Sequence, residues 1–290
     1  MRVAVIGSSG QLGSDVVRVL SDSSFCEVTS VLHNRLDITN RKSVTRVITQ
    51  GAFDVVVNCA AFTRVGDCED FPNQALLVNA QGAFEIARAC TETGSLCVFV
   101  STDYVFSGDK GSSYLEQDPV GPLNVYGASK LAGEFLVRNA ANRWLILRTS
   151  SLFGTTGSGG KGGNFIETII AKALAGDPVR VVDDIRMSPS YTLDVAHAIK
   201  ELIRSKTTGL YHVANSGYCS WYEFARDAIQ MAGLAVNVER VSSAVYQTKV
   251  RRPKDSTLNI SLLEVTLGYT VRPWTEALRA YLVEKGHLKS

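Results

Sequence analysis

The sequence predicts a doubly wound α/β fold, a parallel sheet covered by helices on both faces and followed by a smaller C-terminal lobe. Three observations carry that expectation. Short, near-continuous apolar runs recur at 3–7 (VAVIG), 27–32 (EVTSVL), 54–60 (DVVVNCA), 96–101 (LCVFVS) and 144–150 (WLILRTS), as strands buried on both faces do. Amphipathic helical stretches alternate with them, and such alternation marks a parallel sheet built by crossovers. After Ser150 the alternation loosens.

The elements follow in order. In the stretch 11–20, Leu12, Val16, Val17 and Leu20 keep helical spacing. The stretch 73–94 reads as one helix, with Asn73 at its N-cap and Gly94 as its stop. A third helix covers 126–140 (YGASKLAGEFLVRNA). The segment 154–164 (GTTGSGGKGGN) is rich in Gly and Ser and reads as a linker or as a lid over a site. A helix at 164–175, a strand at 179–183, a helix near 193–203 and a strand at 210–215 come next. Ser220, with Glu223 three residues on, forms a capping box for another helix. The amphipathic stretch 274–286 closes the chain. No internal repeat, charge block or interdomain linker is visible.

Composition narrows the class. The chain has 290 residues, 45% of them apolar and 20% charged, with a mean hydropathy of +0.06. That is the balance of a globular protein, and it excludes disordered, collagen-like and coiled-coil chains. Lys and Arg number 30 against 28 acidic residues. A net charge of +2 leaves no global footprint for nucleic acid or an anionic membrane. The six cysteines form no CxxC pair and read as reduced, buried thiols. The opening MRVAVIGSSG lacks the apolar core of a secretory signal, so cytoplasm is the default expectation. His33, His197, His212 and His287 have no metal-ligand spacing, and no metal is expected.

Chemistry begins at Gly7-Ser8-Ser9-Gly10-Gln11-Leu12-Gly13, directly after the first strand and opening the first helix. Gly7 suits the tight turn, Gly10 lets backbone approach a pyrophosphate, and Gly13 lets the helix sit close on the strand. The helix N-terminus then offers N–H groups and a positive dipole end. This context points to a Rossmann dinucleotide site. The expected division is a dinucleotide-binding part over 1–150 and a smaller substrate lobe over 151–290, the two exchanging segments. After the second strand, an acidic residue would take a ribose 2′-hydroxyl. Here His33 and Arg35 come first and Asp37 later. Arg35 suits a 2′-phosphate, so the sequence favours NADP(H), with NAD(H) as the alternative.

Tyr126 and Lys130 form a YxxxK pair at the start of a helix, which places both on one face. A phenol has a pKa near 10, and a neighbouring ammonium should bring it toward working pH. Ser101 and Thr102 end the fourth strand. Both sets belong at the carboxyl edge of a parallel sheet, where ligands bind. Thr102 could then bond the same substrate oxygen as Tyr126.

Together the glycine turn, VNCAAFT, STDYVFSG and PLNVYGASKLAGE resemble the extended short-chain dehydrogenase/reductases, and more closely their dTDP-4-dehydrorhamnose reductase branch. The resemblance continues through RMSPSYTLDVA, RRPKDSTLNIS and RPWTEALRAYL. It implies reduction of a 4-keto group on a deoxyhexose nucleotide by NAD(P)H. Tyr126 would be the proton donor, Lys130 its tuner and ribose anchor, and Thr102 the carbonyl-orienting hydroxyl. Gly10, Gln11, Leu12, Asp37, Ile38, Ala60, Ala61 and Thr63 would line the cofactor with Gly7, Gly13 and Arg35. Thr102, Asp103, Ser151, Asn164 and Arg252 would meet the nucleotide sugar, Asp103 through sugar hydroxyls and Arg252 through a phosphate. A homodimer is the assembly left open.

Two departures stand out. Ser151 occupies the position after Arg148-Thr149-Ser150 where the family usually has an aromatic residue, and the later turn reads Arg186-Met187-Ser188-Pro189-Ser190. Asp15 reads as a solvated helix charge rather than a metal-bridging acid at a dimer contact. Trp221, Tyr222 and Phe224 read as lobe packing. A dehydratase of this superfamily would carry Glu where Tyr104 stands. An epimerase with the same Tyr and Lys, or a cofactor-binding regulatory subunit, remains as the alternative.

Overall fold

The computed structural model describes residues 1–157, 163–246 and 249–289. Six parallel strands form the central sheet, in the order β10-β5-β4-β3-β1-β2. They are β1 (Arg2–Ile6), β2 (Glu27–Val31), β3 (Val55–Asn58), β4 (Leu96–Thr102), β5 (Trp144–Thr149) and β10 (Gly209–His212). Between β5 and β10 lie β6 (Leu152–Phe153), β7 (Val179–Val182), β8 (Arg186–Met187) and β9 (Ser190–Tyr191); β11 (Cys219–Ser220) and β12 (Val238–Val241) follow.

Strand alternation feeds two cores. Val3 and Val5 of β1 pack with α1 (Gln11–Ser21) and α8 (Thr192–Arg204) on one face. Ala4 and Ile6 face α2 (Arg41–Gly51), α5 (Ala83–Thr93) and α6 (Val125–Ala140) on the other. The remaining helices of the first half are α3 (Val65–Asp70) and α4 (Pro72–Leu76). In the second half, α7 (Phe165–Ala175), α9 (Trp221–Met231) and α11 (Trp274–Glu284) surround Phe153, Met187 and Tyr191 in a third core. A parallel β7–β12 pair lies against α7 and α9, and α10 (Ser261–Leu267) packs its Leu263 on the α8 side of the sheet. Thus α8 and β10 return to the sheet after the chain has left it.

Local detail differs from the sequence reading in places. The helix expected from Asn73 starts at Pro72, with Phe71 at its N-cap. Proline at the first helical position fits, because its missing N–H would be unpaired there anyway. A π-helical turn, Leu77–Gly82, then separates α4 from α5. Gly94 ends α5 in the left-handed region, and the Ser220–Glu223 capping box is present on α9. Asp15 is not a solvated charge: it is buried under Thr192, whose hydroxyl donates to it at 2.5 Å, and burial pushes its carboxyl pKa up. Residues 158–162 of the expected lid segment lie outside the described residues.

Candidate active site

The glycine turn sits where β1 meets β3. Gly7 takes φ +74°, and a Cβ there would lie 2.8 Å from the Ala60 nitrogen. A Cβ on Gly13 would lie 2.2 Å from the Gly7 carbonyl oxygen. Neither position has room for another residue. Gly10 is the N-cap of α1 and places no side chain over the helix end, so the first backbone N–H groups, including those of Gln11 and Leu12, remain for a ligand. Beside them the Ser8 hydroxyl is buried with no hydrogen-bond partner. An orphaned hydroxyl at an uncapped helix N-terminus suits a dinucleotide phosphate.

The other expected cofactor residues frame this turn unequally. Arg35 is exposed beyond β2. Asp37 accepts from the Thr39 amide and hydroxyl, which holds its carboxyl pKa down. Leu12 and Ile38 are core residues, so they can offer only backbone or a buried flank. The Gln11 side chain is tied to the Leu152 carbonyl at 2.9 Å. Ala60, Ala61 and Thr63 form a half-buried wall.

That wall is fixed by a residue the sequence reading missed. Asn79, in the π-helical turn, accepts from the Phe62 amide at 2.8 Å and donates to its carbonyl at 3.0 Å. It also donates to Ser129 at 2.9 Å, one residue before Lys130. One buried amide therefore joins the 60–63 wall to α6. Asn79 lies in the π-helical turn, and hydrophobic periodicity does not reveal its role.

On α6, Asn124 caps the first turn through Gly127. Gly127 is needed because a Cβ there would strike the Tyr104 carbonyl at 2.2 Å. The helix start is thereby pressed against Thr102–Tyr104. Lys130 is buried, its Nζ 4.1 Å from the Phe99 ring centroid. Burial pulls its pKa down to about 7, with Glu134 and Cys59 acting the other way. Below it, Glu134 is buried and accepts from Ser101 at 2.6 Å and from Arg148 at 2.9 and 2.7 Å. The expectation that Lys130 draws Tyr126 toward working pH needs correction for the protein alone. Burial dominates and pushes the Tyr126 hydroxyl well above its ordinary range, with the Thr102 hydroxyl acting the other way.

The substrate-side residues separate. Asp103 is buried, with Ser150 and Ser256 donating to one oxygen at 2.9 and 2.5 Å and Thr102 to the other at 3.1 Å. Both oxygens of the residue expected to meet sugar hydroxyls thus have partners inside the protein. Asn164 is likewise consumed: its oxygen caps α7 at Glu167, and its amide donates to Gly154 and to the Tyr281 hydroxyl, both at 2.9 Å. Ser151 adopts φ +45° beside β9. Arg252 does face a cleft that Tyr104 also lines, and its charge opposes the burial that pushes the Tyr104 hydroxyl pKa up to about 12. The Tyr104 ring meets Tyr126 edge-on at 6.0 Å between centroids. From there a cavity of about 590 Å³ opens, lined by Phe165, Trp221 and Tyr246 and by Lys172, Arg180 and Arg252. Trp221, expected as lobe packing, lines this cavity against Phe165, whereas Phe224 is core.

The arrangement has a backbone cradle for an anion, a phenol–hydroxyl–amine set and an aromatic, cationic cleft. Comparison with known proteins agrees with it. Residues 1–286 match the family model described as RmlD substrate binding domain. The spore coat polysaccharide biosynthesis protein SpsK of Bacillus subtilis is 40% identical, covering 98% of both chains. A dTDP-4-dehydrorhamnose reductase of Burkholderia thailandensis is 32% identical over 96% of this chain and 97% of its own. The crystal structure of dTDP-4-dehydrorhamnose reductase from Bacillus anthracis, in complex with NADP, superposes with a TM-score of 0.91 at 35% identity, covering 98% of this chain and 99% of that one. The chain belongs to the dTDP-4-dehydrorhamnose reductase family.

Proposed function

We propose that the protein is an NADP(H)-dependent reductase of a 4-keto-6-deoxy nucleotide sugar of the dTDP type. The observation that carries this is the packing of the Tyr126 helix start against Thr102–Tyr104 at the sheet's carboxyl edge, enforced at Gly127, between the glycine turn and the aromatic cleft. Gly7, Gly10 and Gly13 with the first turn of α1 would hold the pyrophosphate, the 60–63 wall would flank it, and Arg35 would meet a 2′-phosphate. The bound dinucleotide supplies hydride at its nicotinamide.

This chain's residues do the rest. Tyr126 gives its proton to the carbonyl oxygen as negative charge develops there, and Thr102 helps hold that oxygen. A cationic Lys130 favours the phenolate left behind. Arg252, Arg180 and Lys172 supply positive charge for a diphosphate, and Phe165 and Trp221 supply flat apolar surface for a base. In this reading the 1–150 part serves the cofactor and the later elements serve the sugar nucleotide. The free cysteines and the demand for NADPH fit work in the cytoplasm.

The test is NADPH oxidation, followed by absorbance, with a panel of 4-keto-6-deoxy dTDP sugars. Turnover with at least one is expected. Absence of turnover with all, together with a stoichiometric partner enzyme in pull-downs, would favour a regulatory subunit.

A further inference from the structure

Asn124 holds a different part of the site with each half of its amide. The side-chain oxygen accepts the Gly127 amide at 2.9 Å and so caps α6, the helix that carries Tyr126. The side-chain nitrogen donates to the Arg251 carbonyl at 2.9 Å, 127 residues further along the chain. Arg251 stands between Val250 and Arg252, and both of these line the aromatic, cationic cleft. One buried amide thus joins the helix of the proton donor to the strip of chain that carries a cleft cation.

The residue type follows from this double duty. Ser, Asp and Asn cap helices about equally well. An ionised Asp has no proton to give, and a Ser hydroxyl has no second arm. Of the three, only the amide accepts at one end and donates at the other.

The tether sets direction. Two other contacts bear on the strip. Lys249 pairs with Asp70 of α3, but both side chains are half exposed, and such pairs contribute little. Val250 is buried, and apolar burial is non-directional. The Arg251 carbonyl shares a rigid peptide plane with the Arg252 nitrogen, so the bond from Asn124 fixes where the Arg252 side chain starts. The α6 end of the tether is the firmer one. Glu69 accepts the Val125 amide at 2.8 Å, and Gly127 is pressed on the Tyr104 carbonyl. Cutting the tether should therefore free the strip and leave the helix start in place.

We propose that Asn124 is a positioning residue that holds Arg252 at a fixed offset from Tyr126, so that the cleft is preorganised for the diphosphate of a sugar nucleotide. The proposal rests on the reductase reading for its ligand. Binding then has no strip to order, and the saved cost appears as affinity.

The experiment compares wild type, Asn124→Ser, Asn124→Ala and Arg252→Ala, with dTDP as the probe. Ser keeps the cap and removes the tether, and Ala removes both. Tryptic cuts after Lys249 and Arg251 should come several-fold faster in Asn124→Ser than in wild type, and dTDP should slow them. By calorimetry the dTDP Kd should rise roughly fivefold in Asn124→Ser, the scale of one hydrogen bond. Asn124→Ala should share both losses and also melt at a lower temperature, because the cap is gone. Added to Arg252→Ala, the Ser substitution should still speed the cuts but leave the dTDP Kd where it is, since the side chain it positions is absent. Unchanged cutting in Asn124→Ser overturns the proposal. An equal loss of dTDP affinity with and without Arg252 also overturns it and assigns Asn124 to general support of the fold. None of these readouts needs turnover, so failure of the reductase reading appears separately, as a protein that shows these shifts in dTDP binding yet reduces no keto sugar.

Discussion

The two walls of the site are built by opposite means. The proposed cofactor wall is backbone: a turn of glycines, an uncapped helix end and a loop held by the Asn79 amide. The proposed sugar wall is side chain, with Tyr104, Phe165, Arg180, Trp221 and Arg252 arriving from separate segments. A backbone site is defined by what cannot be there, since any Cβ at Gly7 or Gly13 collides with the chain. A side-chain site is defined by what is there and can be retuned residue by residue. The first should tolerate almost no substitution, and the second should trade specificity readily.

Lesions should therefore sort by location. The largest loss lies between the walls. Tyr126→Phe removes only a hydroxyl, and kcat should fall by about 10²–10⁴-fold with NADPH affinity little changed. A variant within about threefold of wild type under rate-limiting chemistry would remove Tyr126 as the donor. Next comes Gly13→Ala, whose Cβ would lie 2.2 Å from the Gly7 carbonyl oxygen. Forcing a group into packed structure costs about 1–3 kcal/mol. NADPH titration should show at least a tenfold weaker Kd, or roughly 1.4 kcal/mol; unchanged binding would mean that the turn is only structural. Arg252→Ala should raise the sugar-nucleotide KM by about 10-fold, the scale of one charged hydrogen bond, and leave NADPH affinity alone. A loss of cofactor affinity there would blur the two-wall division. Smallest is Arg35→Ala, because Arg35 is exposed and exposed charge contacts are worth about 1 kcal/mol or less. NADPH should lose a few-fold in affinity while NADH does not, and equal effects on both would assign the 2′-phosphate to other residues.

The same contrast explains what the sequence revealed. The central strands were legible because burial on both faces writes continuous apolar runs such as VVVN at Val55–Asn58. Helix α2 was not, since only Val44 and Ile48 are buried along it. The glycine turn and the Tyr126–Lys130 pair were legible because a local geometric demand fixes residue type and spacing together. Asn79, Glu134 and Arg148 escaped notice because a buried polar residue looks like a surface one until its distant partner is known. Asn164 shows how two roles share one signal. Helix capping and ligand binding ask for the same amide chemistry, and Glu167 three residues later was the available hint that capping would claim it. Asp15 misled because its partner, Thr192, lies 177 residues away.

The buried Lys130 has a consequence for the solution around the protein. An amine whose pKa is drawn to about 7 is a mixture of neutral and charged forms at neutral pH. An anionic dinucleotide beside it favours the charged form, so binding should draw a proton out of the buffer. Calorimetry in buffers of different ionisation enthalpy should show heats that differ by a fraction of one proton per site. Cofactor affinity should weaken as pH climbs through about 7, because the protonated lysine that the ligand prefers becomes scarcer, and Lys130→Met should abolish both effects. The protein would thus meter its cofactor partly through proton activity, a coupling set by a desolvated amine over an aromatic ring.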